Sequence, residues 1–315
     1  MTTILKSALI SAVALMLACC TSAPEEETEI SRLDIELRDM AGVDTPSVSD
    51  KNLPGARLMF RAMGYDTITP ELLAWWSNSD AVRVFQPDVD SVYTDLTPLS
   101  RGISAVTARA RKAGLGLPEM KYYTIVWGNP RPLLRDSDVM IIALNHYLGA
   151  EYPGYSHWEQ YRRQDKTPGM LPYDIAAALV ATQFPFARPQ DATLIDWMLY
   201  EGALVEARMR LVDDADLAAA LGFTSEQLEW CDDNYSDMMR ELSVRRKLYD
   251  TDPVLIDRML APAPAAPLMA GRAPGRVGRY IGYRMIKDYL KEHPSATIPQ
   301  LTALRAGDVI SVSGR

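Results

Sequence analysis

Three short runs are the stretches of this 315-residue chain that carry clear strand patterning, and their scarcity limits the fold to a small sheet set among helices. Ile30-Ser-Arg-Leu-Asp-Ile-Glu-Leu-Arg-Asp39 alternates apolar and polar residues through Leu33, Ile35 and Leu37, which predicts a half-buried strand. Lys121-Tyr-Tyr-Thr-Ile-Val-Trp127 is rich in aromatic and β-branched residues and is ended by Gly128-Asn-Pro130. Asp138-Val-Met-Ile-Ile-Ala-Leu144 is continuously apolar, as a strand covered on both faces should be. Most of the remainder reads as helix. Thr69 caps a helix that has Pro70 in its first turn, and a second starts at Leu171-Pro172 and runs to about Phe184. A third spans Ala192 to about Val212. Thr224-Ser-Glu-Gln227 is a capping box, followed at roughly helical spacing by Leu228, Cys231, Tyr235, Met238, Leu242 and Tyr249. After the proline-rich Ala261–Pro267 comes one firm helix, Gly278 to about Leu290. That is too little for an independent core, so the prolines read as a loop within one domain. The expected class is α+β, mainly helical, with a small sheet.

The N-terminus has a different character. Lys6 precedes an apolar run, Ala8 to Ala18, that is far shorter than the roughly 20 residues a membrane-crossing helix needs. Basic residue, apolar run and small-residue boundary are the parts of a signal peptide, residues 1–18. Met16-Leu-Ala-Cys19 resembles a bacterial lipobox, which makes Cys19 the acyl acceptor, although Met16 stands where such motifs usually carry Leu. An ordinary secretory leader with incidental cysteines is the competing reading. Several acyl chains, at about 0.8 kcal/mol per buried methylene, hold a domain to a bilayer durably. The polar, acidic segment to Glu29 then reads as a tether, residues 19–29, ahead of a single helix-rich domain over residues 30–315.

A formal charge of −8 lacks the basic footprint of a nucleic-acid binder. Cys231 is the one cysteine outside the lipidation site, so no disulfide framework is available and stability must come from the core. The chain has three histidines, His146, His157 and His293, and none are four residues apart. A His-Glu-x-x-His zinc helix, which needs two imidazoles one turn apart, is therefore excluded. Gly-x-Ser-x-Gly, Gly-x-x-x-x-Gly-Lys and Cys-x-x-Cys are likewise absent. The glycines of Pro274-Gly-Arg-Val-Gly278 do not match the dinucleotide spacing and suit tight turns and close helix approach, so no nucleotide and no other cofactor is expected.

Three segments remain distinctive: Ile141-Ile-Ala-Leu-Asn-His-Tyr-Leu-Gly149 with Tyr152-Pro153, Leu194-Ile-Asp-Trp-Met-Leu-Tyr-Glu-Gly202, and Pro274-Gly-Arg-Val-Gly-Arg-Tyr-Ile-Gly-Tyr283. Their order and content resemble the gliding-motility lipoproteins of the GldB type, from about residue 120 onward. The acidic tether resembles the surface-export signals of lipoproteins in gliding bacteria, while a solvated linker explains it equally well. The GldB family in turn resembles predicted zinc peptidases in which a strand precedes the His-Glu-x-x-His helix and a later Glu-Gly helix supplies a ligand. The resemblance implies a zincin-like fold without its zinc: an edge strand at Asp138 to Gly149, a former motif helix at Leu171 to Phe184, and Glu201-Gly202 at the former ligand position. The middle helix reads Tyr173-Asp-Ile-Ala-Ala-Ala-Leu-Val180, so both imidazoles are missing in any register.

The expected vestigial cleft comprises Glu201, Asp174, Tyr173, His146 and Asp196. Glu201 falls in the helical row of Leu194, Met198, Val205 and Val212, and a carboxylate on a core-facing row needs a partner. Arg276 and Arg279 are the candidates. His146 and His157 meeting Glu201 would rebuild a metal site, but a satisfied strand-end histidine and a loop-packed one are the simpler reading. Trp75-Trp76 and the tyrosines between 122 and 158 read as core or rim, with a sugar or peptide groove as the alternative. The resemblance implies a non-catalytic lipoprotein of the outer membrane, on its periplasmic or outer face, working through envelope protein partners. The rivals are a hydrolase built from Glu201, Asp196, Glu206 and the loop histidines, and a module that holds a peptide or glycan in the old cleft without cutting it.

Overall fold

Four strands form one sheet in the order β1-β2-β4-β3: Ile30–Ser31 (β1), Lys121–Ile125 (β2), Leu133–Asp136 (β3) and Val139–Ala143 (β4). β1, β2 and β4 are parallel, and β3 closes the sheet as an antiparallel hairpin with β4. The computed structural model describes residues 27–187 and 191–313; the leader, Cys19 and the first part of the tether lie outside them. The helices, in chain order, are Leu33–Arg38 (α1), Leu53–Ala62 (α2), Pro70–Ser77 (α3), Asp80–Val92 (α4), Thr97–Lys112 (α5), Gln160–Arg163 (α6) and Leu171–Gln183 (α7). They continue with Leu194–Leu211 (α8), Leu217–Leu221 (α9), Ser225–Val244 (α10), Pro253–Leu260 (α11), Val277–Glu292 (α12), Ile298–Thr302 (α13) and Ala306–Ser313 (α14). The mainly helical α+β class is as the patterning implies.

Alternation along the strands divides the sheet between two cores. Tyr122, Met140 and Ile142 face α5 and α7, packing with Ile103, Val106, Ile175 and Leu179. Tyr123, Ile125, Ile141 and Ala143 face α1, α2 and α3, packing with Leu33, Leu37, Met59, Phe60 and Trp76. β4 is thus covered on both faces, as its unbroken apolar run requires. It is not an edge strand, because β3 pairs along its free side; Pro132-Leu-Leu-Arg-Asp136 is too short to show strand periodicity by itself.

The expected strand at Ile30–Asp39 is also corrected: two residues pair as β1, and the rest is α1. Leu33 and Leu37 are four apart, so a five-residue alternation also satisfies one turn of helix, and Ile35 is the half-buried one. Asp34 pins this junction. Its carboxylate accepts from Thr124 Oγ1 at 2.5 Å, Gln86 Nε2 at 2.9 Å and Arg32 Nη2 at 2.8 Å. Burial alone would raise its pKa, but the Arg32 guanidinium and the two neutral donors outweigh burial and hold it below the usual carboxylate range.

α8 joins the sheet to the C-terminal helices. Tyr200, Leu204, Ala207 and Leu211 point to the core shared with β2 and β4. Leu194, Ile195, Met198, Leu199 and Val205 belong instead to a third core with α10, α11 and α12. The α8–α12 crossing is close enough to bring backbones together. A Cβ on Gly202 would overlap the backbone of Gly282 and Tyr283, and one on Gly282 would overlap the Met198 carbonyl. The Pro-rich loop belongs to this same core: Ala266 and Leu268 are buried in it, and Arg276 N donates to Ala261 O at 3.2 Å. Beyond α12, the sequence left two short helices unseen, one opened by a Thr297–Gln300 capping box. Tyr249 departs from the α10 row, since Arg246 turns left-handed (φ 53°) and leaves Tyr249 exposed.

Gly202→Ala and Gly282→Ala should each destabilise the protein by about 3 kcal/mol, because a methyl group cannot enter a backbone contact without separating the helices. Gly102→Ala in α5 is the control: its Cβ would meet only Pro172 Cγ at 3.4 Å, and the change should be neutral or slightly stabilising. Urea unfolding of the three variants measures the difference.

Candidate functional site

Three guanidiniums and three carboxylates converge where α7, α8 and the start of α12 meet. Glu201, on the core-facing row of α8, pairs with Arg279 Nε at 3.2 Å. About two turns further along α8, Arg208 reaches Asp174 on α7 at 3.3 Å and also donates to the carbonyls of Ala220 (2.6 Å) and Tyr173 (3.3 Å). Arg276, in a left-handed conformation (φ 66°) just before α12, pairs with Asp165 at 2.6 Å and donates to Gly222 O at 2.8 Å. Gln164 Nε2 donates to the same carbonyl at 2.8 Å. Of the two arginines proposed as partners for Glu201, Arg279 takes the role and Arg276 goes to Asp165.

The electrostatics are those of a set of ion pairs. Burial pulls the pKa of Arg208 down, with the other guanidiniums adding to the effect and the Asp174 carboxylate opposing it; Arg276 is lowered in the same way, with Asp165 opposing. Asp174 is held on its second oxygen by the Tyr147 hydroxyl at 2.9 Å. Burial, then the negative Asp174 beside it, raises the Tyr147 phenol well above its ordinary value. Tyr173 contributes its hydroxyl as acceptor for Asp216 N at 2.8 Å and does not touch the carboxylates. The Glu201–Arg279 pair opens on a cavity of about 410 Å³, whose other walls include Trp197, Pro253, Leu260 and Pro262.

Asp196 and His146 of the expected cleft lie elsewhere, as do Glu206 and His157 of the hydrolase reading. Asp196 is a helix cap: it accepts from Thr193 N at 3.0 Å and Thr193 Oγ1 at 2.7 Å, and it also holds Ala306 N at 3.0 Å at the start of α14. Burial would raise its pKa, but these donors lower it. Glu206 pairs with Arg210 at 2.8 Å and Lys287 at 3.6 Å. His157 is exposed with its ring against Trp158. His146 sits just beyond β4, 6% exposed, with Nε2 at 2.9 Å from Asn129 O. Since a carbonyl only accepts, Nε2 carries the hydrogen and Nδ1 the lone pair. Among the described residues, no three His, Cys, Asp or Glu side chains are grouped to hold a metal ion. Sequence reasoning missed Arg208, Asp165 and Tyr147; Arg208, seven residues after Glu201 and therefore on the same helix face, was the available signal.

A protein-family model described as gliding motility protein GldB matches residues 21–313. No curated protein and no solved structure matches the chain.

Removing one partner from the buried pairs leaves the other charge unpaired. Arg208→Met should therefore cost about 3 kcal/mol in urea unfolding, and Arg208→Lys should recover little, since an ammonium cannot reach three acceptors in the guanidinium's planar geometry. For His146, burial and then the Lys166 charge push the pKa down to about 4, with the Asn129 bond opposing. The unfolded chain, at about 6.5, takes up this proton first. The stability contributed by neutral His146 is thus present above about pH 6.5 and lost as pH falls toward about 4. NMR titration should find its ring neutral and Nε2-protonated at pH 6; a midpoint near the unfolded value would refute the assignment.

Proposed function

Because the chain belongs to the GldB family of gliding-motility proteins, we propose that it is a lipid-anchored outer-membrane protein that works by holding protein partners of that or an allied surface machinery, without catalysis. The family makes it a lipoprotein of the cell envelope; anchoring through Cys19, attachment to the outer membrane and the scaffold role are this reading's own. One observation carries the non-catalytic part. Glu201, which the zincin-like reading puts at the former ligand position, is paired with Arg279, and Asp174 on the helix that the same reading takes for the former motif helix is paired with Arg208. A catalytic carboxylate must offer a lone pair to a metal, a water or a substrate proton, and a charge-paired one is committed elsewhere. In this reading, the meeting of α7, α8 and α12 is the remnant of a zinc site whose imidazoles were replaced and whose acids were retained as structural ion pairs.

The test uses a strain lacking the gene, complemented by wild type, Glu201→Gln and Cys19→Ala. Glu201→Gln should keep the surface phenotype and the set of envelope proteins recovered by cross-linking, whereas Cys19→Ala should lose membrane attachment and both readouts. Peptide cleavage by the purified protein that disappears in Glu201→Gln would overturn the reading.

A further inference from the structure

A second cavity, of about 380 Å³, lies at the carboxyl ends of the parallel strands β2 and β4, where open α/β sheets place their ligands. Its volume falls within the range of about 300–1,000 Å³ usual for small-molecule sites. Trp127, Phe85, Tyr155 and Trp158 line it. These rings are held in place by bonds that turn their polar atoms inward. Trp127 Nε1 donates to Arg131 O at 3.0 Å, and Tyr155 Oη donates to Asn145 O at 2.5 Å while accepting from Leu148 N at 3.3 Å. Tyr155 and Trp158 are stacked, centroids 4.9 Å apart and planes within 5°. Asn145 is also engaged, bonding both backbone groups of Trp127.

Two kinds of polar group are left for a ligand. His146 lines the cavity, and its Nδ1 is buried without a hydrogen-bond partner among the described residues. As the unprotonated nitrogen of this tautomer, it can only accept. At the rim stand two cations, Lys166, which has no carboxylate partner among the described residues, and the exposed Arg162, whose Nε donates to Tyr161 Oη at 3.1 Å. We propose that this cavity binds the acidic sugar residue of a glycan: its C–H face lies on the aromatic wall, a ring hydroxyl donates to His146 Nδ1, and its carboxylate meets Lys166 and Arg162. A purely apolar anchor fits less well, because it would leave this buried acceptor as unpartnered as it is in the free protein. A neutral sugar would give Lys166 no carboxylate to pair with.

The experiment uses the full-length protein in detergent micelles, with isothermal titration and tryptophan emission as readouts. The probes are a galacturonate trisaccharide, its uncharged methyl ester, and a short peptide ending in tyrosine, which also offers a hydroxyl, a ring and a carboxylate. The acid should saturate and perturb the emission, and the ester should bind about tenfold more weakly. Lys166→Met should weaken the acid about tenfold while leaving the ester unchanged. His146→Phe, where it folds, should weaken both. The proposal falls if neither sugar saturates, if acid and ester bind alike, or if only the tyrosine peptide binds.

Discussion

The approach of α8 to α12 is the contact on which the rest of the C-terminal half depends. It exists because Gly202 and Gly282 face each other without side chains, so that the Met198 carbonyl and the Gly282 backbone come into direct contact. Two consequences follow from the same geometry. α8 becomes a central beam, one face against the sheet and the other against the third core. And Glu201, next to one glycine, is brought against Arg279, one turn before the other.

That pairing decides the chemistry of the cluster. Taking a charge out of water is costly unless it is paired and hydrogen-bonded, and here each buried or half-buried guanidinium is matched by a carboxylate. Carbonyls of Tyr173, Ala220 and Gly222 satisfy further donors of Arg208 and Arg276. Such an arrangement fixes where α7, α8 and α12 sit relative to one another, with both Asp174 oxygens engaged and Asp165 Oδ1 left buried without a hydrogen-bond partner among the described residues. The aromatic cavity differs in character. The ring heteroatoms of Trp127 and Tyr155 are internally satisfied, while His146 Nδ1 has no hydrogen-bond partner and Lys166 no carboxylate partner among the described residues.

Legibility in the sequence followed how local the cause was. Thr69 and Thr224 cap their helices as read, through hydrogen bonds to residues three positions on. The strands at Lys121 and Val139 were legible from composition, while β3 was not, because four residues become a strand only by pairing with β4. Ile30–Asp39 was misread because a run too short to separate a period of two from a spacing of four satisfies both helix and strand. At the site, the need of Glu201 for a partner was visible in the apolar row around it. The separate placement of Asp196 and His146 was not, since a cap on α8 and a strand end are told from a cleft only by what lies across from them.

The sequence by itself determined the helical character, the small sheet, the exclusion of a two-imidazole zinc helix and the demand that a core-facing carboxylate be paired. Each of these is a property of spacing along one segment. Tertiary structure alone decided that Arg279 rather than Arg276 answers Glu201, that Arg208 and Tyr147 share Asp174, and that His146 has an acceptor unused by the described residues. Such pairings depend on distances between segments tens to a hundred residues apart, and those distances are set by packing, above all by how closely two helices can approach when neither carries a side chain at the crossing.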